Sequence, residues 1–130
     1  MGPGDAAGTR EQGGGTITHS ASIEGTQPAW QHAHHCSSKA AIIMHARVAA
    51  LADGTMGIRV SSVSPGLLDG DGLSENWPGG VDRWQRAAPL GRLGRAAGIG
   101  NGCASRVVRS LTGSVGTAWW WTGVSARPAW

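Results

Sequence analysis

The sequence predicts an α/β fold built on a parallel sheet, and three observations carry that reading. A β-prone stretch, Thr16–Ser20, precedes the clearest helix of the chain, Ser37–Ala52, and a second strand, Gly57–Ser64, follows that helix. Strand, helix and strand in this order form a crossover, and crossovers join parallel strands. With 130 residues, 40% of them apolar and 15% charged, the chain has the size of one domain and too little charge for a disordered one.

Residues 1–15 are Gly-rich with scattered charges and read as a flexible leader. Thr16–Ser20, Thr-Ile-Thr-His-Ser, is the first strand, and the segment up to His35 is irregular, broken by Gly25 and Pro28. Ser37 or Ser38 can cap the helix, whose body is Ala-rich. Ala40, Ile43, Met44, Val48 and Leu51 form a stripe at helical spacing, expected to face the core or another subunit. Asp53-Gly54 ends it. In Gly57–Ser64 the apolar residues are Ile58, Val60 and Val63, and Pro65-Gly66 stops the strand. Leu67–Leu90 reads as a polar loop with Trp77, Trp84 and a short helix around Val81–Ala88. Pro89–Gly102 is rich in Gly and Arg, Val107–Leu111 is weakly structured, and Val115–Trp121 reads as a strand. The domain is expected over residues 16–123, with 124–130 as a tail.

Composition excludes several classes. No apolar run approaches the ~18 residues of a membrane span. No basic segment leads into an apolar one at the N-terminus, so a signal peptide is not expected and the cytoplasm is the expected compartment. The 22 glycines follow no G-x-y period, which removes collagen. Cys36 and Cys103 make no disulfide framework. Residues 1–82 carry four cations against all eight acids, and residues 83–130 carry seven arginines and no acid. Those arginines are dispersed and read as a solvated surface, so no nucleic acid partner is expected. His32, His34, His35 and Cys36, with His45 downstream, resemble a ligand cluster. Zinc needs about four convergent ligands, which adjacent residues cannot supply, so no metal is expected. Seven Trp accompany no Phe and no Tyr, and Lys39 is the only lysine beside ten arginines. A GC-rich coding sequence accounts for this bias.

Ser22, His35 and Lys39 carry the candidate chemistry. His35 and Lys39 are four apart and project from one face of the helix start. Ser22 follows the first strand, where loop side chains reach the carboxyl edge of a parallel sheet and ligands bind. Pro65-Gly66 turns at the same edge.

Several blocks now resemble a known family, the short-chain dehydrogenases/reductases. Gly14–Gly25 resembles its strand and active-site serine. His35-Cys36-Ser37-Ser38-Lys39-Ala40-Ala41 resembles its Tyr-x-x-x-Lys helix start, and Gly57–Gly66 its next strand and Pro-Gly turn. Pro89–Arg95 resembles the segment before its late helix, and Thr112-Gly113 the turn before its last strand. The blocks keep the family's order and near spacing over residues 13–123. The resemblance implies a partial Rossmann-like, doubly wound parallel sheet lacking the N-terminal nucleotide-binding strands. It also implies hydride transfer between NAD or NADP and the carbon of a small-molecule carbonyl or alcohol. Ser22 would hydrogen-bond the reacting oxygen, Lys39 would hold the nicotinamide ribose, and Pro65 and Gly66 would border the cofactor. The family's acid/base tyrosine is replaced by His35, a shorter side chain.

Two further departures follow. The family's Thr-Gly-x-x-x-Gly-x-Gly turn lies far upstream of the serine. Gly94-Arg95-Ala96-Ala97-Gly98-Ile99-Gly100 has its spacing but does not follow a strand. At the tail, Trp119-Trp120-Trp121-Thr122 stands where the family has Val-Val-Asp-Gly-Gly. Valine codons GTG followed by GAC, read one nucleotide late, give this run, so a frame error or a decayed gene is expected. The chain alone is therefore expected to be an inactive, truncated relative. The alternative expectation is a non-catalytic remnant or association module, with a homo-oligomer formed through helix 37–52. The loop Leu67–Ala88 would set the substrate.

Overall fold

The computed structural model describes residues 8, 9, 11–107 and 118–121. Three strands, β1 (Gly15–Ser20), β2 (Ile58–Pro65) and β3 (Ala118–Trp121), form a parallel sheet in the order β1-β2-β3. The register sets Ile17 beside Val60, His19 beside Ser62, and Ser64 beside Trp120. Helix α1 (Ala33–Asp53) is the crossover from β1 to β2. Short helix α2 (Leu73–Asn76), helix α3 (Pro78–Ala87) and helix α4 (Ala96–Val107) follow β2. This is the expected α/β architecture.

Side chains alternate along a strand, so each residue's face follows from its register. Ile58 and Val60 share a face and are fully buried against Ala46 and Ala50 of α1, with Ile17 packed beside them. Arg59 faces the other way. Its guanidinium donates to Thr16 Oγ1 at 2.7 Å and to the carbonyl of Val107, the last residue of α4, at 3.4 Å. Helices thus lie over both faces, as a doubly wound sheet requires.

Helix α1 begins at Ala33, four residues before the expected start. Ser37 and Ser38 lie inside it, and Ser38 Oγ donates to the His35 carbonyl at 2.8 Å. His32 takes the N-cap place with no side-chain cap. Before it Gln31 turns the chain with a left-handed φ of 63°, which no propensity argument anticipates. The expected apolar stripe is only partly the packing face. Ile43, Ala46 and Ala50 are buried, whereas Met44, Val48 and Leu51 are 55%, 56% and 84% exposed. Alanine has no bulk beyond Cβ, so the alanine side of the helix approaches the sheet most closely.

The helix ends at Asp53 and a single 3-10 turn, Gly54–Met56, follows. Gly57 adopts φ 72°, a conformation that suits glycine, and directs the chain into β2. The short helix expected around Val81–Ala88 is α3, starting earlier because Pro78 occupies the first helical position. Helix α4 falls where the resemblance implies a late helix, in a Gly-rich stretch whose composition does not predict one. Gly98, Gly100 and Gly102 lower its propensity, and its packing against β1 and β2 overrides that deficit. Strand β3 confirms the second half of Val115–Trp121. Residues 115–117, Thr112-Gly113 and the 124–130 tail lie outside the described residues. No helix among the described residues is long and apolar enough to cross a membrane.

Candidate active site

The site forms where β1 ends. The Ala21 N–H still donates to the Val63 carbonyl at 2.8 Å, and the chain then leaves the sheet at Ser22 with extended backbone. Ser22 Oγ accepts from the Glu24 N–H at 3.2 Å and caps the single 3-10 turn Ile23–Gly25. That turn rests on α1. A Cβ on Gly25 would lie 2.8 Å from both the Lys39 carbonyl carbon and Ile43 Cδ1, so glycine lets the serine turn meet the helix at Lys39. Lys39 Nζ donates to the Ser20 carbonyl at 3.3 Å, which ties the helix to the end of β1.

His35 stands in the first turn of α1 and faces the same turn. Its Nε2 lies 3.8 Å from Glu24 Oε2, and His32 Nδ1 lies 3.0 Å from the same oxygen. Cys36 Sγ is 4.0 Å from it. One carboxylate oxygen therefore faces two imidazoles and a thiol. Glu24 escaped the sequence reading because only the tertiary turn brings it beside residues 8 to 12 positions later.

Ser22, His35 and Gly66 line one cleft of about 770 Å³ at the carboxyl edge of the sheet. That is within the size range of small-molecule sites. Lys39 and Pro65 are not among its lining residues. Lys39 lies one helical turn beyond His35, and Pro65 closes β2 beside Gly66. Helix α3 and the residue before it supply one wall, with Trp77, Gly80 and Trp84. Trp84 packs on Ile23 and Ala88. The Trp77 ring covers Gly80 so closely that a Cβ there would overlap ring atoms. The opposite wall is Trp30, Gln31 and His32. The loop expected to set the substrate thus does line the cleft, and Trp30, Gln31 and His32 are added to it.

Two other features take different places. His45 pairs edge-to-face with His19 of β1, ring centroids 5.2 Å apart. His19 Nε2 is buried without a hydrogen-bond partner. Burial, and secondarily electrostatic interaction with the His45 ring, push the His19 imidazole below its ordinary pKa. Among the described residues no group of three His, Cys, Asp or Glu side chains is placed to hold a metal ion. In Gly94–Gly100, Gly94 N–H donates to the Leu67 carbonyl at 2.9 Å in an isolated bridge, and Gly98 and Gly100 lie inside α4. A phosphate cradle needs glycines between a strand and a helix N-terminus, and this segment does not have that arrangement.

A nicotinamide dinucleotide as cofactor needs donors for its ribose hydroxyls. The Lys39 ammonium has three N–H donors and directs one to Ser20, which leaves two for a diol such as a ribose. The donor set at this edge therefore fits the ribose end of the cofactor.

The comparisons with known proteins agree with this geometry. A family model described as enoyl-(acyl carrier protein) reductase matches residues 5–117. A 2,5-dichloro-2,5-cyclohexadiene-1,4-diol dehydrogenase of Sphingobium indicum is 32% identical over 107 residues, 79% of this chain and 42% of that protein. The meso-2,3-butanediol dehydrogenase of Serratia marcescens is 33% identical over 79 residues, 60% of this chain and 31% of that protein. The chain thus spans less than half the length of these relatives. The crystal structure of L-sorbose reductase from Gluconobacter frateurii, complexed with NADPH and L-sorbose, superposes with a TM-score of 0.84 at 27% identity. The match covers 95% of this chain and 51% of that one. On the motif blocks, the doubly wound sheet and these matches together, the chain belongs to the short-chain dehydrogenase/reductase family.

Proposed function

We propose that the chain is the substrate-side part of an NAD- or NADP-linked oxidoreductase that interconverts a small alcohol and its carbonyl, and that the chain alone does not turn substrate over. The observation that carries this reading is the convergence of Ser22, His35 and Gly66 on one cleft, with Lys39 a helical turn away.

Each residue has a role its geometry supports. Ser22 Oγ accepts the Glu24 N–H, so its own proton is free to donate to the reacting oxygen. His35 takes the acid/base position. That position, held by tyrosine in the family, gives a proton to the oxygen in reduction and removes one in oxidation. Lys39 would hold the ribose hydroxyls of a bound dinucleotide with the two donors that Ser20 leaves unused, and the nicotinamide would supply the hydride chemistry. An imidazole is shorter than a phenol, and proton transfer needs heavy atoms within roughly 3 Å, so His35 reaches the oxygen less well than the family's tyrosine.

A second reading rests on one observation. Met44, Val48 and Leu51 give α1 an exposed apolar face, which fits subunit association without catalysis. Light scattering separates the two. The association reading requires a mass that rises with concentration, and a strict monomer removes it. The oxidoreductase reading is tested by His35→Tyr in the full chain, supplied with the nucleotide-binding half of a family relative. NADH- or NADPH-dependent carbonyl reduction is expected from the variant and not from the unmodified chain. Inactivity of both, with nucleotide bound, would overturn it.

A further inference from the structure

We infer that the cleft takes a substrate bearing a carboxylate, an oxo acid or the corresponding hydroxy acid, and that Arg83 is the residue that selects it. The inference rests on the oxidoreductase reading of this same site and adds the substrate class. The seven arginines after position 82 were expected to be solvated surface, but Arg83 lies in the wall of the cleft. Its guanidinium stands over the Trp77 ring, 6.0 Å from the centroid, and Trp77 in turn lies on Gly80. A guanidinium placed over a ring turns its face to the ring. Its N–H donors lie in its own plane and remain for a carboxylate.

The balance of charge in the cleft is the second argument. Glu24 has partners within the chain, His32 Nδ1 at 3.0 Å and His35 Nε2 at 3.8 Å. Arg83 has no such partner. Asp82, the only acid of α3, is taken by Arg86. The positions three and four away from Arg83 on the helix are Gly79, Gly80, Arg86 and Ala87, none of them acidic. Among the described residues no carboxylate pairs with Arg83. This unmatched cation and Ser22 line one cleft, so the ligand supplies the anion while its carbonyl or hydroxyl oxygen meets Ser22. Glu24 repels a carboxylate from its own side, which leaves the α3 wall for it. A phosphate has the same chemistry toward a guanidinium, and its source at such a site is the pyrophosphate of a dinucleotide.

The test is a saturation-transfer NMR titration of the full chain with 3-hydroxypropanoate and with 3-hydroxypropanamide, which differ in charge and little in shape. The acid is expected to bind about fivefold more tightly, the upper end for a solvent-exposed ion pair. That preference should vanish in about 1 M salt, where screening acts within about 3 Å. Arg83→Gln is expected to abolish it and Arg83→Lys to keep part of it. Arg86→Gln removes an equal charge nearby and is expected to leave it whole, all three with unchanged circular dichroism. Inorganic pyrophosphate should bind equally well to Arg83→Gln and Arg86→Gln. Equal affinities for acid and amide, no detectable binding of the acid, or a preference that survives Arg83→Gln or is lost alike in Arg86→Gln would overturn the inference. Pyrophosphate binding that depends on Arg83 alone would also overturn it and assign the guanidinium to the dinucleotide. The titration needs no nucleotide. An Arg83-dependent acid preference without reductase activity in the His35→Tyr test therefore leaves the carboxylate site standing and removes the oxidoreductase reading. Activity on neutral carbonyls without an acid preference does the reverse.

Discussion

The α1 side of the sheet and the carboxyl end of its strands are built on opposite terms. Behind the strands, Ala46 and Ala50 of α1 press on Ile58 and Val60 near the start of β2, small residues against fully buried β-branched ones. Beyond the strands' carboxyl ends, Ile23, Trp84 and Ala88 make a second apolar cluster that carries a cleft of about 770 Å³ beside it, rimmed by Trp30 and Trp77. The first region is solved by packing, and its residues are the ones any sheet–helix contact selects. The second leaves large aromatic surface partly open next to a carboxylate and two imidazoles. Packing alone does not select that arrangement, which is why the function is placed there.

Substitutions sharpen this contrast. Ile58→Ala, behind the sheet, empties a fully closed position and should cost about 2–5 kcal/mol in urea unfolding. A loss under about 1 kcal/mol would mean the region collapses around the gap. Gly25, against α1, and Gly80, in the cleft wall, should then behave differently from each other. A Cβ on Gly25 meets the backbone of Lys39, which cannot swing away, so Gly25→Ala should cost about 1–3 kcal/mol and displace Ser22 from α1. A Cβ on Gly80 meets the Trp77 ring, which is 46% exposed and can move. Gly80→Ala should therefore change tryptophan emission with far less effect on stability. At the rim, Gln31→Gly should stabilise by up to about 1 kcal/mol, because glycine adopts the left-handed φ without a Cβ clash.

The smallest expected effect is on pH dependence, behind the sheet. The folded state lowers the His19 pKa, so the unfolded chain binds the extra proton more readily. Stability should be unaffected by this group above the ordinary imidazole value of about 6.5 and should fall as pH drops below it. His19→Gln should flatten that part of the stability–pH curve, and an unchanged slope would count against the burial of His19.

How much of this was legible in the sequence follows from how local each signal is. Ser22, His35, Lys39 and Gly66 could be found because the helix period and the strand-ending turns act over a few residues. The strand–helix–strand core could be found for the same reason. Helix α4 was implied by the resemblance alone, since its glycines lower propensity and its stability comes from packing on the sheet. Of the stripe expected to face the core or another subunit, Met44, Val48 and Leu51 are exposed while Ala46 and Ala50 take the buried side, because hydrophobicity does not reveal that alanines allow the closest approach. Glu24 and Trp30 went unmarked, and His32 was weighed only as a metal ligand, because their shared site exists only after the Ile23–Gly25 turn closes on α1.

The most direct test of the central claim is equilibrium binding of NADH and NADPH to the full chain, followed by nicotinamide fluorescence. The donors described here reach only the ribose end of a dinucleotide, so the account predicts dissociation constants of about a millimolar or weaker for both. Micromolar binding of either nucleotide, with turnover of a carbonyl substrate, would contradict it and make this chain an enzyme in its own right.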